Sequence, residues 1–120
     1  MVKISSQLLK GTLENAILMI IAQGETYGYA LLEQLTDAGF GKIPEGTVYP
    51  LLLKLQRNGL IHAVRHASTT GPDRKYYQLT PHGAAQLRAF LPQWRQLKTA
   101  MGKLVATHDK EGHDDTISGQ

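Results

Sequence analysis

Between Glu45 and Gly59 the chain reads Glu-Gly-Thr-Val-Tyr-Pro-Leu-Leu-Leu-Lys-Leu-Gln-Arg-Asn-Gly, and this stretch decides the fold. Val48, Leu51, Leu52 and Leu55 recur at i, i+3, i+4 and i+7, the spacing of one buried helix face. Gly59 supplies a stop, so a helix is predicted over residues 45–58. Its opposite face carries Gly46, Tyr49, Pro50, Leu53 and Arg57, with Thr47 and Lys54 at one margin. Pro50 has no amide donor and crowds the carbonyl one turn earlier, so the first turn is expected to bend or to start late.

Upstream, residues 39–44 (Gly-Phe-Gly-Lys-Ile-Pro) read as a turn. Before it, Gly28, Leu31, Leu32 and Leu35 repeat the same spacing in a helix predicted over 27–38, with Thr26 as its N-cap and Gly39 as its C-cap. A first helix is expected over 6–22 from Leu9, Leu13, Ile17 and Ile20. Leu18, Met19 and Ile21 make that helix apolar nearly all round, so it must be buried on more than one side, which a second subunit would provide.

Downstream of Gly59 the period changes to alternation. Strands are predicted over 61–66 and 74–79, joined by the turn-rich tip 67–73, and together they form a hairpin. Thr80-Pro81 is a cap followed by a proline at the first helical position. The helix it opens is expected to reach about residue 105, with Phe90, Trp94, Leu97, Met101 and Leu104 as its best stripe, Leu87 and Leu91 beside it, and a kink at Pro92. The polar tail beyond is expected to be disordered.

Helix, helix, turn, helix, hairpin, long helix is the order of a winged helix-turn-helix. The fold class is therefore mainly α (α+β), with a two-stranded wing and a long C-terminal helix. A winged helix-turn-helix DNA-binding domain is expected over residues 5–79, the C-terminal helix over 80–106 and the tail over 107–120. The helix over 45–58 is placed to enter the major groove, which admits a helix whose outer face is slim, polar and positive.

Charge agrees with that reading. The net charge is +3, but Asp109, Glu111, Asp114 and Asp115 against Lys110 give the last 13 residues −3, which leaves +6 on residues 1–107. Within 42–75, Lys42, Lys54, Arg57, Arg65, Arg74 and Lys75 stand against Glu45 and Asp73, a local +4. Such a field favours polyanions, nucleic acid first. Gly46, Thr47, Tyr49, Lys54 and Arg57 are the candidate groove residues, with Arg74 and Lys75 reaching backbone phosphates.

Other functions find little support. With no cysteine, disulfides, thiolate metal sites and cysteine nucleophiles are excluded. No phosphate loop, nucleophile elbow or His-Glu-x-x-His occurs, so no enzyme and no cofactor is expected. His62 and His66 would lie about 13 Å apart along a strand, too far to share an ion, while His108 and His113 fall in the tail. The longest apolar run, Ala16 to Ala22, falls far short of a bilayer, and a cytoplasmic protein with no membrane partner is the default expectation.

Several segments together resemble the PadR family of transcriptional regulators: Tyr27-Gly28-Tyr29, Gly46-Thr47-Val48-Tyr49-Pro50, Leu55 with Gly59-Leu60-Ile61, and Arg74-Lys75-Tyr76-Tyr77-Gln78-Leu79-Thr80 with Gly83. The likeness spans roughly residues 7–104, and the single long final helix resembles the short subfamily that includes multidrug-responsive repressors. It implies a homodimer, joined by the first and last helices, that binds a palindromic operator and represses. It also implies that Tyr27, Tyr29, Thr47, Tyr49, Lys54 and the wing bases touch DNA. On the same basis Leu9, Leu13, Leu91, Trp94, Leu97, Met101 and Leu104 are expected at the dimer interface. A planar aromatic effector is expected to stack on Trp94, with Leu13, Ile17 and Phe90 beside it. Two departures stand out: Gly71-Pro72-Asp73 precedes Arg74 where many relatives have a glycine-arginine-rich wing, and Gln56 stands where an acid is common. The rival reading is a winged-helix module that binds a protein or single-stranded nucleic acid and has no operator.

Overall fold

The computed structural model describes residues 2–67 and 70–111. Two compact units divide the chain, Met1–Leu87 and Arg88–Gln120. The elements are α1 (Ser6–Leu9), α2 (Leu13–Gln23), β1 (Thr26–Tyr27), α3 (Gly28–Leu35), a π-type turn (Thr36–Phe40), α4 (Glu45–Arg57), β2 (Ile61–His66), β3 (Arg74–Leu79) and α5 (Pro81–Lys110).

The first predicted helix is two helices. Gly11 takes φ 92° and separates α1 from α2. Ser5 caps α1 by accepting from the Leu8 amide, while α2 begins after Thr12 with no side-chain cap. The break resets the helical phase, so Leu8 is 72% exposed although Leu9, Leu13 and Ile17 are buried.

The expected cap at Thr26 is replaced by a strand. Thr26 pairs with Tyr77 and Tyr27 with Tyr76, so the predicted two-stranded wing is a three-stranded antiparallel sheet in the order β1-β3-β2. Ladder pairing turns the Thr26 side chain inward, where its hydroxyl donates to Gln34 Oε1 at 2.9 Å. Tyr27 takes the N-cap position of α3 without a side-chain bond. That helix ends at Leu35, earlier than expected; Gly39 takes φ 111° inside the π-type turn, and Gly41 at φ 80° closes it.

The predicted strands and β2 and β3 coincide, paired from Ile61↔Leu79 to His66↔Arg74. Alternation sends Ile61 and Tyr77 into the core with Thr26, and leaves Tyr27, His62, His66, Tyr76 and Gln78 on the outer face. The core beneath comprises Ile17, Leu18, Leu31, Leu35, Val48, Leu52 and Leu55, each almost wholly inaccessible. Helix α4 starts on time despite Pro50, because the Pro44 carbonyl accepts from the amides of Thr47 and Val48 and the proline ring lies on the exposed side. It ends in a Schellman turn: the Leu60 amide reaches the Leu55 carbonyl and the Gly59 amide that of Gln56. This requires the left-handed φ of 75° that Gly59 adopts.

Thr80 anchors the start of α5. Its hydroxyl accepts from the Gly83 amide and donates to the Gly59 carbonyl, while its amide donates to Leu60. In the second unit α5 runs through Pro92 as far as Lys110. The proline faces solvent, which makes the missing bond tolerable, and no break marks the expected kink. Residues 107–110, expected in a disordered tail, form the last turn of the helix. Residues 112–120, including His113, lie outside the described part.

Candidate nucleic-acid interface

The exposed side of α4 consists of Gly46, Pro50, Leu53 and Arg57, flanked by Thr47 and Lys54 on one edge and Tyr49 on the other. Leu53 is 56% exposed and Tyr49 37%. Arg57 makes no ion pair among the described residues. Lys54 is engaged: its ammonium lies 2.8 Å from the Glu14 carboxylate of α2. Lys54 is exposed and Glu14 partly so, which keeps the pair under about 1 kcal/mol, but it orients the lysine along the edge of the helix.

Beside Tyr49 an open cleft of about 700 Å³ is walled by Tyr27, Tyr29, Tyr49, Leu53 and Tyr77, with Arg74 and Lys75 at its rim. Tyr29 stands 62% exposed at the start of α3. Tyr27 is half-buried, with the Arg74 guanidinium 4.6 Å above its ring and Tyr76 edge-on at 5.3 Å. Lys75 extends over Tyr77 at 5.7 Å. Burial pushes the Tyr77 phenol above its ordinary value of 10, and the nearby Tyr49 phenol adds to the effect. The sequence-named residues Tyr27, Tyr29, Tyr49, Arg74 and Lys75 thus line one cleft, Gly46 and Arg57 share the open face of α4, and Thr47 and Lys54 lie along its far edge.

A polar chain braces the wing from behind. His62 Nε2 lies 2.8 Å from Gln78 Oε1, the Gln78 amide donates to Glu25, and His66 Nε2 lies 2.8 Å from the other Glu25 oxygen. His66 also meets the Tyr76 ring edge-on at 4.7 Å. The Gln78 hydrogen bond, aided by His66 and opposed by desolvation, holds the Glu25 carboxyl below its ordinary 4.5. A depressed carboxylate stabilises fully above its ordinary range, so this brace weakens as pH falls through the lowered value.

The effector and interface candidates divide by burial. Ile17 is completely buried in the core of its own unit, where Leu9 and Leu13 are 9% and 5% exposed. The family resemblance implies interface or effector roles for these residues; with the break at Gly11, Leu8 is the exposed leucine of this segment. In the second unit Trp94, Leu97, Met101, Leu104 and Val105 are 38–67% exposed along α5, while Phe90 and Leu91 are half-buried.

Two residues of the cleft escaped sequence reading. Gly28 keeps the buried-face spacing of its helix and Leu53 shares the outer face of α4, so neither spacing points to the cleft that both line. Arg65 stands directly across the ladder from Lys75.

Among the described residues no cluster of three or more His, Asp or Glu could hold a metal ion, and no helix is long and apolar enough to cross a membrane.

A model of the family described as "Transcriptional regulator PadR-like family" matches residues 17–89. The fold is similar to that of a PadR-like transcriptional regulator from Bacillus cereus, at 46% identity over 83% of this chain and 97% of that one, with a TM-score of 0.76. A Streptococcus transcriptional regulator is 43% identical over 83% of this chain and 98% of its own, with a TM-score of 0.74. An uncharacterized protein of Lysinibacillus sphaericus is 30% identical over 98 residues, 79% of this chain and 89% of the relative. With the winged fold and the tyrosine-rich cleft beside α4, these likenesses settle the assignment: the chain belongs to the PadR-like family of transcriptional regulators, DNA-binding proteins and not enzymes.

Proposed function

We propose that the chain is a homodimeric repressor that reads a palindromic operator with α4, grips phosphates with the wing, and is released by a planar aromatic effector near Trp94. The observation that carries the DNA side is the pairing of an open α4 face with the tyrosine-walled, cation-rimmed cleft beside it. Gly46 and Thr47 keep the start of the helix slim, and the apolar Leu53 suits contact with a thymine methyl. Arg57 reaches the groove from the last turn, while Tyr29, Arg74 and Lys75 lie where a backbone would pass.

Dimerisation is supported by the second unit. Trp94, Leu97, Met101 and Leu104 are spaced three, four and three residues apart, a heptad seam left exposed along α5. Two copies joined there would present two α4 helices to successive major grooves, with half-sites about 10 base pairs apart. Trp94 is the large aromatic of that seam, and a flat ligand stacked on it would change how the two copies meet. Phe90 stays with it as a candidate contact.

The DNA reading predicts two different losses. Tyr49→Ala relaxes preference among operator variants, whereas Lys75→Ala weakens cognate and random duplexes by the same factor. Competition binding with both duplex types separates them, and parental behaviour of both variants would remove the assignment of α4 and the wing. The effector reading predicts quenching of Trp94 fluorescence by planar cationic or phenolic compounds, with a matching loss of DNA affinity. Flat titrations across such a panel would sink that part alone.

A further inference from the structure

Gly28 opens α3 beneath the Tyr49 ring. A Cβ at this position would fall 2.6 Å from Tyr49 Cε1, 2.7 Å from its hydroxyl oxygen and 3.0 Å from Cζ. The backbone makes no demand for glycine here, because Gly28 is not among the residues with positive φ. Helix propensity argues against it, since alanine is the better residue inside a helix. What the missing side chain supplies is room for one ring. Three elements meet at that ring: it projects from α4, its far edge rests on α3, and buried Tyr77 of β3 lies close by.

We propose that Gly28 is a positioning residue for operator reading: by carrying no side chain it docks Tyr49 between α3 and the wing, fixing the ring before DNA arrives. The inference rests on the role given above to Tyr49 and adds the residue that sets its conformation. A docked ring loses little freedom on binding, so its contacts are not offset by ordering. An expelled ring would crowd the outer face of α4 and open the gap to the wing.

The clash at Gly28 is with the far end of a rotatable side chain, not with backbone, so alanine should displace the ring and leave the fold intact. The test compares the parent, Gly28→Ala, Tyr49→Ala and the double variant. The probe is the duplex that the parent recovers from a pool randomised over about two helical turns. Gly28→Ala is expected to keep the parent's far-ultraviolet circular dichroism and thermal midpoint. It should bind the recovered duplex roughly tenfold more weakly, about the loss from one mismatched base pair. In the apo protein the ring-current shift of the Gly28 α-protons should vanish in Tyr49→Ala. Adding Gly28→Ala to Tyr49→Ala should weaken binding no further.

Parental affinity and preference in Gly28→Ala overturns the proposal, and so do losses that multiply in the double variant. Unfolding of Gly28→Ala overturns it as well, since the glycine would then serve the backbone. If Tyr49→Ala alone binds like the parent, the role of Tyr49 itself fails, an outcome legible without any change at Gly28.

Discussion

Gly83→Ala is expected to lower the unfolding free energy by about 2–3 kcal/mol, a fall of roughly 10 °C in thermal midpoint for a chain of this size. Alanine for glycine inside a helix normally stabilises by about 1 kcal/mol, so the sign must come from packing. A Cβ on Gly83 would overlap the Leu60 carbonyl oxygen and stand 2.8 Å from Leu79 Cδ1. The carbonyl is backbone and cannot rotate aside. It also accepts from the Thr80 amide at 3.1 Å, and the Gly83 amide itself donates to Thr80 Oγ at 3.0 Å. Moving α5 away to admit one methyl therefore strains both bonds, each worth about 1 kcal/mol. Gly102 on the same helix has nothing within 4 Å of its would-be Cβ. Gly102→Ala should raise stability by about 0.5–1 kcal/mol. Urea unfolding of the two variants tests both signs, and an unchanged or raised midpoint in Gly83→Ala would mean that α5 does not seat on the Gly59-Leu60 turn.

The contrast extends to Gly28, and with it three helical glycines separate three causes. At Gly83 a substituent meets backbone and the fold loses. At Gly28 it meets a rotatable ring, so the proposed loss is in recognition. At Gly102 it meets nothing, and intrinsic propensity decides.

How far the sequence could be read follows from the range of the forces involved. The helix at α4 was visible because four apolar residues keep one phase and a glycine ends it. β2 and β3 were visible because alternation begins after Gly59 and stops at Thr80-Pro81. β1 was not, since two residues cannot display a period, and Thr26 looks like a cap until its partner Tyr77, fifty-one positions on, is known. The break at Gly11 was hidden because Leu9 and Leu13 keep helical spacing across it. The site shows the same limit. Tyr27, Tyr29, Tyr49, Arg74 and Lys75 could be named one by one, but the pairing of Lys54 with Glu14 and the seat of Tyr49 on Gly28 are tertiary facts. Ile17 shows the reverse: its residue type suits an apolar ligand, and its complete burial is visible only once the tertiary fold is known.

Raising salt from about 50 to 200 mM is expected to weaken operator binding by roughly a thousandfold, the largest change any simple condition should produce. Each copy offers Arg57 on the outer face of α4, Arg74 and Lys75 at the cleft rim, and Arg65 across the ladder from Lys75. If about three of them meet phosphates, two copies neutralise about six, and counterion release then gives a slope near −5 in log affinity against log salt. The cations differ in how free they are. Lys75 rims the cleft with no carboxylate paired to it among the described residues, so Lys75→Ala should reduce the slope by about two units in the proposed dimer. Lys54 is already partnered at 2.8 Å by Glu14, and removing it exposes that carboxylate. Lys54→Ala should therefore change the slope by well under one unit, even though the lysine sits on the same helix as Tyr49. Arg74 lies between these cases: its guanidinium rests on Tyr27 at 4.6 Å and stays accessible, so Arg74→Lys should lose the stacking and keep most of the slope. Slopes measured by fluorescence anisotropy on a single duplex would rank the three. A ranking with Lys54 above Lys75 would move the phosphate path from the wing side of α4 to the α2 side.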